Sequence, residues 1–390
     1  MTKLIETGQK VLKILKDAGY EAFFVGGFVR DYLLKLETND IDITTNALPE
    51  QIEALFDKVF LVGKAFGTVT VLKDGFSYEV TTYRKESEYD NHRHPSTISF
   101  SNTLSEDLSR RDFTINQLTM DEDLKIYDHY NGLTDLKNKI IRTINAPFER
   151  FEEDALRLLR AFRFVSKLGF NIEPNTLQAI QAKAGLIKKV SIERIQNECF
   201  KLFEYPHANK ALTAMIKSQF HTHFFGLKDG IEKLSTIQKP YDALDAFTIL
   251  FLESGYDETL WRLSNKDKAE IKTRTKIHLM TKEDPFTKPL LFSVGLEAAL
   301  KGNKVNVLLE FLDQEALIIN LWEDMPVKTP CELTFKGEDM IKHLNISNRR
   351  YIGQIIDEMI LKINDHVLSN EYGQLKQYTK NRLEELERSE

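Results

Sequence analysis

Asp40 and Asp42 stand two apart at the start of an apolar run, with Ile41 and Ile43 interleaved. In a strand, alternate side chains share a face, so both carboxylates look one way and both isoleucines the other. Two hard oxygen ligands side by side suit Mg2+, which also takes phosphate oxygens and water. Glu79, on a later strand-like run, is the candidate for the third carboxylate that a two-metal phosphoryl transfer uses. Ahead of the pair stands Gly26-Gly27, after a strand-like run and before a helical one. Such a turn lets the backbone come close to a phosphate, and a helix start favours an anion. Arg30 follows one turn later, where its planar fork can reach a phosphate.

A second constellation repeats every three residues: Asp154, Arg157, Arg160 and Arg163. The spacing predicts one helix over 148–168. Each step of three rises about 4.5 Å and turns back about 60°. Asp154 and Arg157 are then neighbours, while Arg163 has drifted half a turn away. By residue type alone this reads as a salt-bridged helix face, a matter of about 0.2–0.5 kcal/mol per pair. Residues 110–118 read RRDFTINQL. There Arg111 is a phosphate-contact candidate, with Asp112 and Asn116 bracing the loop. His92 and His94, in the polar stretch 85–105, and His221 and His223 have no neighbouring cysteine. A polar loop suits them better than a metal pair.

The elements that position these groups divide the chain in two. Before about residue 146, short strand-like runs (22–25, 41–44, 68–72, 76–83, 126–127, 140–144) alternate with helical ones (28–36, 49–56). Asp74-Gly75 marks a hairpin turn between two of the strands. This predicts a small mixed sheet with helices. From Pro147 onward apolar residues recur at three- and four-residue spacing, which predicts helix throughout. Breaks are expected near 169–174, 226–239 and 328–330.

Composition bounds the rest. A chain of 390 residues with 42% hydrophobic and 29% charged residues can build a sizeable core over about two to four domains, which excludes a disordered chain. A net charge of −6 excludes an indiscriminately basic nucleic-acid coat. Residues 142–201 nevertheless carry 11 Lys and Arg against 7 Asp and Glu, a local basic stretch suited to a polyanion. Two cysteines, Cys199 and Cys331, cannot form a disulfide framework or a four-cysteine zinc site. The first helix is interrupted by charges and no apolar run nears ~18 residues, so neither a signal peptide nor a membrane span is expected, and the cytoplasm is the expected compartment.

In order along the chain, GGFVRD with DID, RRDFTINQL, EDALRLLRAFRF (153–164) and KVSIERIQNE (189–198) resemble the motifs of the class II CCA-adding tRNA nucleotidyltransferases, of Gram-positive bacterial type. These share ancestry with bacterial poly(A) polymerases. The resemblance covers about the first 200 residues. It implies an α+β architecture: a mixed-sheet nucleotidyltransferase head (1–146), a neck and start of body (147–205), then a helical body and tail (206–390) for tRNA binding. It implies Mg2+ on Asp40 and Asp42, and ATP or CTP contacts at Gly27, Arg30, Arg111, Asp154, Arg157, Arg160 and Arg163. The expected partners are tRNA, ATP and CTP, with no membrane and a homodimer left open. The stretch 85–105 is similar to the loop that relatives use when switching from C to A addition. Asp154 and Arg157 then gain a chemical purpose. A carboxylate accepts and a guanidinium donates, which complements the amino group and ring nitrogen of cytosine and adenine but mismatches uracil and guanine. A mismatch leaves buried polar groups unpaired, at about 1–3 kcal/mol each. Alternatives are an A-adding enzyme or poly(A) polymerase of the same family, and an RNA-binding protein on the same scaffold.

Overall fold

The structure is a computed structural model. It describes residues 2–388 except 39, 62–66, 91–93, 102, 256–260 and 345–348; the side chains of 86–90, 94–99 and 349 also lie outside the description. Two compact units are present, the first of residues 1–238 with 253–262, the second of 239–252 with 263–390.

The first unit opens with α1 (Thr2–Asp17), β1 (Ala22–Val25), α2 (Gly27–Leu33), β2 (Ile41–Thr45), α3 (Pro49–Leu55), β3 (Val59–Phe60), β4 (Thr68–Lys73) and β5 (Phe76–Thr82). After β6 (Arg84–Asp90), β7 (His94–Phe100) and α4 (Leu104–Ser109) come β8 (Thr119–Met120), β9 (Ile126–Tyr127), α5 (Gly132–Asn138) and β10 (Ile140–Ile141). Seven strands form one mixed sheet in the order β3-β4-β5-β2-β1-β8-β9. Its one parallel pair is β2 with β5, which sets Asp42 opposite Glu79. β1 runs antiparallel to β2, with Val25 opposite Asp42. The end of β1, and hence the Gly26-Gly27 turn, therefore lies beside the carboxylate.

β4 and β5 pair from Thr68↔Thr81 to Lys73↔Phe76 across a two-residue turn. Asp74 and Gly75 have φ of 49° and 84°, the left-handed pair that a tight hairpin needs. Apolar side chains of β1, β2 and β5 pack against α1: Phe24, Ile43, Val80 and Tyr78 are buried with Val11, Leu12 and Leu15. Two expectations are corrected here. The stretch 85–105 is not wholly loop: β6 and β7 pair as an antiparallel ribbon, Arg84 opposite Phe100. His92 lies outside the described residues, as does the side chain of His94. The run 140–144 yields only two strand residues. They pair in parallel with β11 (Asn171–Ile172), a strand that the helical pattern after 147 concealed.

The rest of the unit is helical: α6 (Pro147–Glu153), α7 (Leu156–Leu168), α8 (Pro174–Lys183), α9 (Ile192–Glu204), α10 (Ala208–Lys217) and α11 (Lys228–Thr236). The single helix expected over 148–168 is two. Asp154 has φ −136° and ψ 101°, outside the helical region, and its carboxylate accepts from the Leu156 amide at 3.1 Å. An aspartate that captures the amide two residues on starts a new helix rather than continuing the old one. α7 then buries Leu156, Leu158, Leu159, Ala161, Phe162 and Val165, and stops at Gly169 in the left-handed conformation (φ 67°).

In the second unit, α12 (Ala243–Ser254, of which residues 243–252 belong to this unit), α13 (Asn265–Thr281), α14 (Lys288–Val294), α15 (Leu296–Leu308), α16 (Glu315–Asp324), α17 (Gly337–Leu344), α18 (Arg349–Asn364) and α19 (Tyr372–Arg388) build a helical assembly. One apolar cluster centres on Ile277, Leu291 and Ile318, another on Phe335, Ile355, Met359 and Leu375. No helix among the described residues is long and apolar enough to cross a membrane.

Candidate active site

A cavity of about 430 Å3 opens in the first unit between the Gly26-Gly27 turn and α7. Its walls include Gly26, Gly27, Arg30 and Asp42 on one side, and Asp154, Arg157, Arg160 and Arg163 on the other, with Arg111 between. Eight of the nine residues that the resemblance assigns to metal or nucleotide contacts thus meet at one place. The ninth, Asp40, precedes β2, is exposed and is not part of the wall.

The turn explains the closeness. Gly26 has φ 75°, and a Cβ there would stand 3.1 Å from an Arg111 nitrogen and 3.5 Å from Asp42 Oδ2. A side chain at this position would wedge the carboxylate and the guanidinium apart. Asp42 is half-buried, and burial pushes its carboxyl above the usual range. Arg111 counters this, while Glu79 and Asp40 add to it. Carboxylates that crowd one another in this way are a donor set that a divalent cation relieves, so the residues present fit a hard metal ion. Glu79 itself is exposed, and among the described residues no group of three or more His, Cys, Asp or Glu is arranged around one metal position. His221 is instead hydrogen-bonded to Glu232, 3.1 Å away.

The arginines are oriented by a carboxylate network. Asp112 Oδ2 accepts from Arg160 Nε at 2.8 Å and Nη2 at 2.6 Å, while its Oδ1 accepts from Asn116 and from the Phe113 amide, both at 2.9 Å. Burial alone would raise the Asp112 carboxyl. Arg160 and the hydrogen bond from Asn116 outweigh it and hold the group well below the usual carboxylate range. Asn116 also accepts from Arg30, so one side chain braces both walls. Gly132 supports this loop from behind: a Cβ there would fall 2.3 Å from the Thr114 carbonyl oxygen. Arg163 lies 3.0 Å from Glu198; burial and then the nearby Arg160 push its guanidinium down.

Two features differ from the simple helix-face picture. Asp154 pairs with Arg194 of α9, at 3.0 Å, rather than with Arg157. Arg157 donates to the Arg150 and Arg110 carbonyls, at 3.0 and 2.8 Å, and to Glu153 at 2.8 Å. The break at Asp154 is the cause, because it takes the carboxylate off the helix that carries the arginines.

Sequence reasoning left four wall residues without a role: Arg110, which pairs with Asp107 at 2.7 Å, and Phe164, Lys167 and Tyr205. Phe164 is nearly buried, and the guanidiniums of Arg163, Arg30 and Arg160 stand 4.5, 5.1 and 5.6 Å from its ring centroid. An aromatic face among three cations holds them at a common level without neutralising them. Helical periodicity would have found Lys167, which is seven residues beyond Arg160 and four beyond Arg163. The three-residue repeat drew attention away from it. Tyr205 follows the end of α9, and nothing local in the sequence points to it.

Comparison with known proteins bears on this site. Residues 22–142 match the model of the "Poly A polymerase head domain", residues 169–229 that of the "Probable RNA and SrmB- binding site of polymerase A", and residues 258–378 a model of tRNA nucleotidyltransferase domain 2. The chain is 37% identical over 360 residues to a CCA-adding enzyme of Geobacillus sp. strain WCH70, covering 89% of each. It is 40% identical over 345 residues to one from Lactobacillus helveticus, covering 85% of this chain and 86% of that one. The crystal structure of the Bacillus stearothermophilus CCA-adding enzyme in complex with CTP superposes with a TM-score of 0.89 at 31% identity, over the whole of both chains.

Proposed function

The chain belongs to the family of CCA-adding enzymes, nucleotidyltransferases that extend tRNA, and from that premise we propose how its own residues carry out the addition of C, C and A from CTP and ATP without a nucleic-acid template. The observation that carries the reading is the meeting of Asp42, the Gly26-Gly27 turn and the α7 arginines around one cavity. In this reading Asp40 and Asp42 hold Mg2+. An ion held there would supply charge neutralisation on the phosphates and would favour the deprotonated form of the attacking hydroxyl. Arg30 and Arg111 hold the triphosphate, and Gly27 keeps backbone, not side chain, beside it. The 3′-hydroxyl oxygen of the tRNA bonds to the α-phosphorus and gives up its proton to solvent water. The bridging α–β bond breaks, and diphosphate leaves with the electron pair.

Asp154 and Arg157 read the base. The Asp154 carboxylate accepts from the exocyclic amino group of cytosine or adenine, and Arg157 donates to the ring nitrogen beside it. Arg194 steadies Asp154, and the Arg150 and Arg110 carbonyls steady Arg157. Two side chains whose own partners fix their direction can stand in for a template base. Arg160 and Arg163, set by Asp112 and Glu198, hold the backbone of the nucleotide or primer. Residues 1–146 serve catalysis, 147–205 templating and 206–390 tRNA binding, in the cytoplasm.

The test is incubation of tRNA ending at the discriminator base with Mg2+ and each NTP, separately and together. CTP alone should add two nucleotides, and CTP with ATP three. A single A or a long A tail would instead mark an A-adding enzyme or a poly(A) polymerase. No incorporation at all would mark a binding protein.

A further inference from the structure

We propose that Lys167, held in place by Asp31, is the subsite for the outermost phosphate of the incoming nucleoside triphosphate, and therefore for the diphosphate that departs. The proposal rests on the nucleotide-transfer reading above and extends it to two residues without a part in it. Lys167 lines the same cavity as the α7 arginines. By helical geometry it lies within about 20° of Arg160 and about 40° of Arg163 around the axis, and about 15 Å along the axis from Arg157. If Arg157 marks the base end of the row, Lys167 marks the opposite end, where the last phosphate of an extended nucleotide falls.

The supporting contacts suit an anion. Asp31 is buried and serves two cations at once: its Oδ1 accepts from Arg30 Nε at 2.8 Å, and its Oδ2 from Lys167 Nζ at 2.7 Å. One carboxylate between two cations leaves an excess positive charge at that end of the cavity. The same imbalance holds for the whole wall, which carries seven cationic side chains against three carboxylates. Burial, and after it the charge of Arg30, push the Lys167 ammonium below its usual range. A phosphate oxygen would relieve both. Tyr205 closes the end, its ring centroid 5.8 Å from Lys167 Nζ. An ammonium on a flexible stem suits a group that must bind a terminal phosphate and then release it, whereas the bidentate arginines grip.

The test titrates two ligands into the full chain with magnesium present: inorganic diphosphate, and CMP, which has the base and one phosphate only. Lys167→Met should weaken diphosphate binding about tenfold, the scale of one charge-assisted hydrogen bond, and leave the CMP dissociation constant unmoved. Lys167→Arg should restore diphosphate binding to within about threefold. If Lys167→Met does not accumulate folded, Lys167→Gln makes the same comparison, since it keeps a donor toward Asp31 without the charge. Equal weakening of CMP and diphosphate would reduce Lys167 to a structural role and overturn the proposal, as would no change in either. Because both ligands are titrated directly, the outcome is independent of turnover. A wild-type chain that extended no tRNA would instead strike at the functional reading.

Discussion

Asp112→Asn removes one charge from the middle of the site while keeping the shape of the side chain. The amide oxygen can still accept from Asn116 and from the Phe113 amide, so the loop need not move. What is lost is the carboxylate facing Arg160, leaving Glu198, 3.5 Å away, as its remaining ion-pair partner among the described residues, with the charge of Asp154 farther off. Breaking a buried ion pair from one side costs about 3–5 kcal/mol. Arg160 is 30% exposed and Glu198 stays beside it, so solvent and a second carboxylate absorb part of the loss. About 2–3 kcal/mol is expected, or roughly 5–10 °C in midpoint for a unit of this size. The sign with pH follows from the depressed folded-state value of Asp112. Its contribution is full above the unfolded carboxyl value of about 4 and is lost as pH falls below that toward the folded value. The assay follows Trp261, fully buried in the first unit, in a Trp322→Phe background so that the signal comes from that unit alone. Wild type should lose more stability than Asp112→Asn between pH 5 and 3, the two curves converging in acid. If the variant melts within about 1 °C of wild type at pH 7, or if the curves stay parallel through acid, the network is not what holds Arg160.

Asp40→Ala and Asp42→Ala should each abolish most nucleotide addition, by at least about a hundredfold, while tRNA affinity by filter binding changes little. Near-wild-type turnover in either would remove that residue from the metal site. Asp154→Ala should slow CTP use and lower the CTP-to-UTP ratio of kcat/KM by about one to two orders of magnitude, the scale of one unpaired buried polar group. An unchanged ratio in a folded variant would refute templating by that side chain. Replacing residues 85–105 by a short Gly/Ser linker should spare the two C additions and impair the A addition, read as product length on a sequencing gel. Equal loss of all three steps would indicate general damage.

The strand that carries Asp42, the Gly-Gly turn and the arginine row were legible because each is local, whereas Asp40 falls just before that strand and outside the cavity wall. Alternation and the 3.6-residue repeat fix which face a side chain takes, and a left-handed Asp74-Gly75 pair fixes a hairpin within four residues. The amphipathic helices after 147 were readable for the same reason. Other features depend on partners far along the chain. The helix break at Asp154 is a contest between a carboxylate that captures an amide and a backbone able to continue, and Arg194 of a later helix joins it on the carboxylate's side. That Asp31, 136 residues before Lys167, orients it could not be read from either neighbourhood. Nor could the bracing of Arg30 and Asp112 by one asparagine, nor the aromatic post at Phe164. Residue types and their spacing carry the chemistry a chain can do; which charges meet, and which are held apart, is decided when burial makes each carboxylate find its cation.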